Sequence, residues 1–313
     1  MELAHKMPNR VKGLMMVISG AAFWGLSGTA AQVLFQEKHI TAEWLVVLRM
    51  MVTGISLLLV SIIKGMTPFA IWKDKKGCMD LLIFGIIGML GVQYTYFAAI
   101  ETGNAATATL LQYLAPIYIV LYSSAKERTN PSKEIWLAVL FALAGTFLLI
   151  TNGSTNGLKV SFISIIWGVL SGIALAFYTL SSARLLKRWH SIIVVGWGML
   201  IGGTCMTFFT FPFEHSQFVW GLDTLLLILF VILFGTLFAF LLFVESIRHL
   251  SPTESSLLSS VEPLSAVIAS IAFLNVSFGV FQAIGGICII FTVLILSIKK
   301  ERMKDEHMME KSS

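Results

Sequence analysis

Charge is what this chain has least of. Asp, Glu, Lys and Arg make up 12% of its 313 residues, against about a quarter of an ordinary soluble domain, so there is too little charge to clothe a water-facing globular surface. Cysteine is nearly absent as well. Cys78, Cys205 and Cys288 stand far apart, without CxxC or Cys/His ligand spacing, which argues against a disulfide framework and against a metal site. HExxH, GxSxG and GxxxxGK[ST] are all missing. The histidines His5, His39, His190, His215, His249 and His307 fall in tails, loops or span ends, and the HxxE pair His307/Glu310 sits in a charged tail that reads as a solvated face. No cofactor and no metal is expected, and an intramembrane enzyme or an ATP-driven pump has little support. The net charge of +5 is spread over short loops and tails, so it is no signal for nucleic acid.

What fills the chain instead is hydrocarbon. Apolar residues make up 57% of it, the mean hydropathy is +0.85, and runs of about 20 apolar residues, long enough to cross a bilayer as helices, recur along the whole length. Ten spans are predicted, at about 13–34, 41–63, 79–100, 104–123, 133–151, 160–183, 191–212, 223–245, 253–274 and 278–298. The first run follows a basic stretch and is too long for a signal-peptide core, so it reads as a retained span. Connections are short. The longest, 64–78, carries Lys64, Pro68, Lys73, Asp74, Lys75, Lys76 and Gly77, and TNGSTNGLK at 151–159 reads as a turn-rich linker between halves.

Basic residues set the orientation. Nineteen of the 22 lysines and arginines fall on one side of the ten-span layout, Lys38 and Lys159 fall on the other, and Arg49 lies inside a span. That asymmetry predicts an even number of spans with both termini cytoplasmic.

The chain also repeats itself. YFAAIETGNAATATLLQYLAPI recurs as FVESIRHLSPTESSLLSSVEPL at an offset of 147, pairing Gly88 with Gly235, Ile100 with Ile247, Leu110 with Leu257, Leu111 with Leu258 and Pro116 with Pro263. Spans 2 and 7 match at an offset of 148 through Val46/Val194, Val47/Val195, Met51/Met199 and Gly54/Gly202. Five spans per half is odd, so the second half enters the membrane the other way up, as in transporters whose site lies between inverted repeats near the midplane. Spans 5 and 10 share a small-residue stripe, Ala138, Ala142 and Gly145 against Gly279, Ala283 and Gly286. Packing within the chain is the preferred reading over a dimer contact, because small-residue faces are general between membrane helices. The oligomeric state is not readable.

Glu262 leads the residues able to carry chemistry. It sits beside Pro263 near the middle of span 9, where an unpaired carboxylate is costly and acids mark function by default. Pro263 cannot donate to the carbonyl of Ser259, and Ser255, Ser259, Glu262 and Ala266 are spaced to share one helix face. Arg49 in span 2 is the natural partner, at a depth within roughly one helical turn of Glu262, as a structural clamp or as an anion site. Its counterpart in the second half is Trp197. Span 4 mirrors span 9 with Thr109, Gln112, Tyr113 and Pro116. Gln93, Tyr94 and Tyr96 in span 3, Trp24 in AFWGLSG and Tyr178 in AFYTLSS complete an amphipathic aromatic lining suited to a small organic solute rather than a bare ion. Glu101 and Glu245 sit at span ends and read as interfacial.

The motifs WGLSG (24–28), LRMMVTG (48–54), ETGNAATATLLQYLAPI and SLLSSVEPLSAV (256–267) together resemble a ten-span member of the drug/metabolite transporter superfamily with two EamA-type repeats, over about residues 11–298. The resemblance implies export or exchange of amino acids, metabolites or drugs without ATP, in a bacterial inner membrane. It places the family's span-2 arginine on Arg49 and its Glu-Pro pair on Glu262 and Pro263. The acid the family often carries after the fourth span of each half falls on Glu127, but the second half has Asn275 there.

The expectation is therefore an all-α membrane protein. It has a first repeat at 11–151, a linker at 152–159, a second repeat at 160–298 and a cytoplasmic tail at 299–313. Spans 1, 3, 4, 6, 8 and 9 are expected around a cavity and spans 5 and 10 at the periphery. A small-molecule solute and the lipid bilayer are its partners. Proton exchange at Glu262 and the solute gradient alone are both open as energy sources. A passive channel or scrambling pore and a membrane-embedded sensor are the rival readings.

Overall fold

In hydrocarbon a backbone has to satisfy its own N–H and C=O groups, and a helix is the structure that does so within a single segment. The computed structural model describes residues 6–103, 105–154, 161–209, 218–274, 279–292 and 294–295. Among them every regular element is helical and no strand occurs. In chain order they are α1 (Lys6–Gln36), α2 (Ala42–Ile63), α3 (Lys75–Glu101), α4 (Ala105–Gln112), α5 (Ala115–Glu127), α6 (Lys133–Thr151), α7 (Phe162–Leu185), α8 (Ser191–Thr207), α9 (Leu222–Ser246), α10 (Pro252–Leu258), α11 (Val261–Leu274) and α12 (Val280–Thr292). Seven stretches are long and apolar enough to cross a membrane: Arg10–Gln36, α2, α3, Ala108–Lys126, α6, α7 and α9. Helices α8 and α12 are apolar but shorter. The connection 64–78, expected as a plain loop, instead contains a 3₁₀ helix at Pro68–Lys73 and the start of α3. Most of the linker, the position of Asn275 and the tail with His307 and Glu310 lie outside the described residues.

Two helical runs are interrupted at matching places. Helix α4 stops at Gln112 and α5 starts at Ala115, while α10 stops at Leu258 and α11 starts at Val261. Pro116 and Pro263 lie in the first turn of the segment after each break, and neither has an N–H to continue the ladder from the preceding turn. The backbone tightens there: the Leu114 N–H donates to the Leu111 carbonyl and the Ser260 N–H to the Leu257 carbonyl, both at 3.2 Å. The break also divides the face expected to join Ser255, Ser259, Glu262 and Ala266. Ser255 accepts from the Ser246 hydroxyl on α9, the Ser259 hydroxyl turns back to its own helix at the Ser256 carbonyl, and Glu262 starts a new helix with its own register.

A second matched irregularity lies in α3 and α9. Each contains a π-helical turn, Phe84–Leu90 in α3 and Leu233–Phe238 in α9. Gly91 donates to the Ile86 carbonyl and Ala239 to the Phe234 carbonyl, so the N–H that closes each turn reaches five residues back. The Thr236 hydroxyl covers the Val231 carbonyl at 2.8 Å. Such turns insert one residue into a helix and are frequent at functional sites. Each turn holds one glycine of the Gly88/Gly235 repeat pair. At Gly235 the neighbour is Ser27 of α1, since a Cβ there would lie 1.9 Å from the Ser27 Oγ.

Contacts between helices exchange when the halves are exchanged. Helix α1 packs on α9 and α11, while α7 packs on α3, α4 and α5; α2 and α8 pack on each other. Helices α6 and α12 also pair, with Gln282 donating to the Leu149 carbonyl at 3.2 Å and Phe141 stacked on Phe291 at 5.7 Å. The small-residue stripe is thus used within the chain, with Gly285 rather than Gly286 meeting Gly145. The buried core runs through Leu34, Leu45, Met50, Phe84, Met89, Ile100, Ile119, Val194 and Phe243.

Candidate functional site

The two irregularities aim polar groups at one place. On α2 the inward positions Leu45, Val46, Arg49, Met50, Thr53, Gly54 and Leu57 form one buried stripe, so Arg49 is drawn inside with its neighbours and is only 3% exposed. Just after the π turns, Gln93 on α3 and Phe240 on α9 occupy equivalent positions and face the same space. After the second break, Glu262 falls in the first turn of α11, where the helix dipole favours a negative charge. Helix α1 passes directly over it. A Cβ on Gly25 would come within 2.2 Å of the Glu262 carbonyl oxygen, so only glycine allows that crossing.

These elements enclose a tight cavity of about 30 Å³, lined by Trp24, Ser27, Gly28, Arg49, Val92, Gln93, Tyr96, Phe97, Gln112, Leu175, Gly235, Phe240 and Glu262. It holds roughly two water molecules. Its walls come from α1, α2, α3, α4, α7, α9 and α11, so α2 joins the six spans expected there.

Of the residues singled out in the sequence, Trp24, Arg49, Gln93, Tyr96, Gln112 and Glu262 line this cavity. Tyr96 stands beside the acid. Its hydroxyl shares a 2.8 Å hydrogen bond with Thr109 and donates to Glu262 at 3.4 Å. Gln93 donates to the Met199 sulfur at 3.0 Å and Gln112 to the Ser171 hydroxyl at 2.6 Å, which fixes both amides across the halves. Arg49 and Glu262 share the cavity, but no ion pair joins them. The guanidinium carbon lies 4.2 Å from the Phe97 ring centroid and 5.8 Å from that of Phe240, an aromatic enclosure that favours the cation electrostatically.

The other singled-out residues lie elsewhere. Tyr113 and Ser259 bind each other, the Tyr113 hydroxyl donating to the carbonyl that Pro263 leaves free. Tyr178 is fully buried and packs on Phe84, Phe240 and Phe243 rather than on the cavity. Tyr94 bonds Glu43 at 3.2 Å and packs on Trp167. Trp197, the repeat counterpart of Arg49, lies against Phe69 and Trp72. Glu101 accepts from the Ala42 N–H at the start of α2, and Glu245 lies 3.8 Å from Arg248.

Phe97 and Phe240, the two rings around Arg49, are not among the residues that stand out in the sequence. Phe240 is the repeat counterpart of Gln93, so the offset of 147 was a usable signal for it. Among the described residues no cluster of His, Cys, Asp and Glu could hold a metal.

The model of the EamA-like transporter family matches the chain twice, over residues 11–151 and 162–298. An inner membrane transporter of Salmonella typhimurium, YicL, is 34% identical over 93% of this chain and 97% of its own length. The Bacillus subtilis transporter YyaM is 25% identical over 74% of this chain and 78% of its own. Both carry the word uncharacterized in their names. A solved crystal structure, 17% identical, superposes with a TM-score of 0.76 over 94% of this chain and 99% of that one, which is a likeness of fold.

Proposed function

The chain belongs to the EamA-like transporter family, and on that premise we propose that it is a secondary transporter exporting a small metabolite, amino acid or amphiphilic organic solute by alternating access. Ten spans in two inverted halves make the carrier. Repeats at 11–151 and 160–298 are joined by the linker 152–159 and followed by a tail at 299–313, with both termini in the cytoplasm. The interrupted pairs α4/α5 and α10/α11 are then one span each, and α8 and α12 are the remaining two. The basic asymmetry supports the orientation, and the exchange of helix contacts between halves supports the inverted arrangement. Glu262, Arg49, Trp24, Gln93, Tyr96 and Gln112 form the solute or coupling-ion site, with Tyr113, Tyr178 and Ser259 holding the helices around it.

The observation that carries this reading is the cavity itself, built jointly by both halves at the matched irregularities of α3 and α9 and at the matched breaks α4/α5 and α10/α11. Its small volume supports a gated carrier over a standing pore. Counterflow decides the matter: the full chain in proteoliposomes, loaded with a panel of unlabelled metabolites, accumulates labelled solute transiently and saturably. Leak that neither saturates nor shows counterflow is the channel result.

A further inference from the structure

We propose that the solute carries a single negative charge, a carboxylate that docks on Arg49 and Trp24. This deepens the transport reading and rests on it. Arg49 is buried at 3% exposure, its Nε has no hydrogen-bond acceptor, and no carboxylate lies within 4.0 Å of it among the described residues. Trp24, on the same cavity, has a buried Nε1–H that also lacks an acceptor. Two unpartnered donors thus belong to residues lining one small space, beside one unpartnered acceptor, the Gln93 Oε1, while the nearby acid, Glu262, accepts from Tyr96. A guanidinium is a rigid fork of donors matched to the two oxygens of a carboxylate. The space is about 30 Å³, on the scale of such a group. One guanidinium with an acid in the same cavity suits a monoanion better than a phosphate dianion, because like charges repel more strongly in a desolvated site.

The test is equilibrium binding to the purified full chain in detergent. The probes are straight-chain carboxylates from acetate to octanoate, phenylacetate and indole-3-acetate, each against its own amide, with phenyl phosphate added. In at least one pair the carboxylate binds tenfold or more tightly than the amide, and phenyl phosphate binds more weakly than phenylacetate. Trp24→Phe weakens that carboxylate several-fold without lowering the thermal unfolding midpoint, and Arg49→Gln removes the preference for it over its amide. If no carboxylate outbinds its amide, the proposal is overturned. Counterflow of the amides in proteoliposomes then shows whether the transport reading survives it.

A separate observation concerns the two ends of the molecule. The segment before α9 lays Phe218 and Trp220 on Trp44 of α2, with ring centroids at 5.3 and 5.9 Å, and Asp223, in the first turn of α9 that follows it, pairs with Lys38 at 2.5 Å. The segment before α3 lays Phe69 and Trp72 on Trp197 of α8, at 5.4 and 5.0 Å, and pairs Asp74 with Arg188 at 2.7 Å. Each segment crosses from its own half to the other, with two aromatics on the opposite half's helix and one acid on its base. Trp44 lies near the start of α2 and Pro68 just beyond its end. The 22 residues of that helix put the two straps about 33 Å apart. With both straps docked the cavity between them is too tight for a solute.

We infer that they are equivalent latches, one for each membrane face, and that opening toward a face releases its strap while the other stays docked. Double cysteines Lys38→Cys/Asp223→Cys and Asp74→Cys/Arg188→Cys, in a chain with Cys78, Cys205 and Cys288 replaced by Ser, are bridged with a bifunctional thiosulfonate. Either bridge stops counterflow of whichever solute the panel identifies, and reduction restores it, which controls for folding. Counterflow that continues through both bridges overturns the inference.

Discussion

The Tyr113 hydroxyl donates to the main-chain carbonyl of Ser259, joining the helix break of the first half to that of the second. Pro263 denies that carbonyl its partner one turn on in the helix, and a partner comes instead from the residue just past the end of α4, the other half's matched run. The carbonyl also accepts from the Glu262 N–H at 2.9 Å, so the bond supports the turn that carries the acid.

Tyr113→Phe removes only that hydroxyl and leaves the freed carbonyl with one partner fewer. We expect a loss of about 1–2 kcal/mol, in the upper range for polar contacts between membrane helices. The loss is read as a lower unfolding midpoint in detergent, and an unchanged midpoint refutes the role of this bond.

Gly235→Ala places a methyl group against Ser27, where the Cβ would lie 1.9 Å from Oγ and 2.3 Å from Cβ. Overpacking of this kind costs about 1–3 kcal/mol. Adding Ser27→Gly clears the clash and restores most of the stability. Destabilisation that the second substitution fails to relieve locates the strain elsewhere.

Glu262→Gln separates a proton-handling acid from a clamp. Since no ion pair ties Glu262 to Arg49, the variant is expected to accumulate at wild-type levels in the membrane. If protons pass through this group, the wild type shows pH-dependent counterflow and the variant a flat profile. A sharp fall in abundance instead marks a structural role, and an unchanged pH profile assigns the energy to the solute gradient.

Orientation is checked with single cysteines. In a background without Cys78, Cys205 and Cys288, an impermeant thiol reagent added to intact cells labels Lys159→Cys and leaves Lys75→Cys untouched. Labelling at position 75 from outside overturns the topology.

Hydropathy by itself determined that this chain is helical and where most helices run. Span 133–151 has those same ends in the structure, and 41–63 differs by a single residue. The reason is local: an apolar run in lipid has to close its hydrogen bonds within itself. The duplicated prolines were equally legible, because the missing N–H belongs to the residue and not to its surroundings. The π turns were not, since shifting a hydrogen bond by one residue leaves hydropathy unchanged. Only the packing of α1 on Gly235 and of α7 on Gly88 shows where the extra residue is accommodated. The same limit applies to the cavity. Arg49 and Glu262 stood out because burying a charge is costly wherever it occurs, yet nothing local says that two phenylalanine rings flank one and a tyrosine bonds the other. Trp197 matches Arg49 in the repeat but clasps a strap, and Tyr178 packs into the core. The rotation of each helix about its own axis is set by its neighbours from the other half, and that the tertiary structure alone decides.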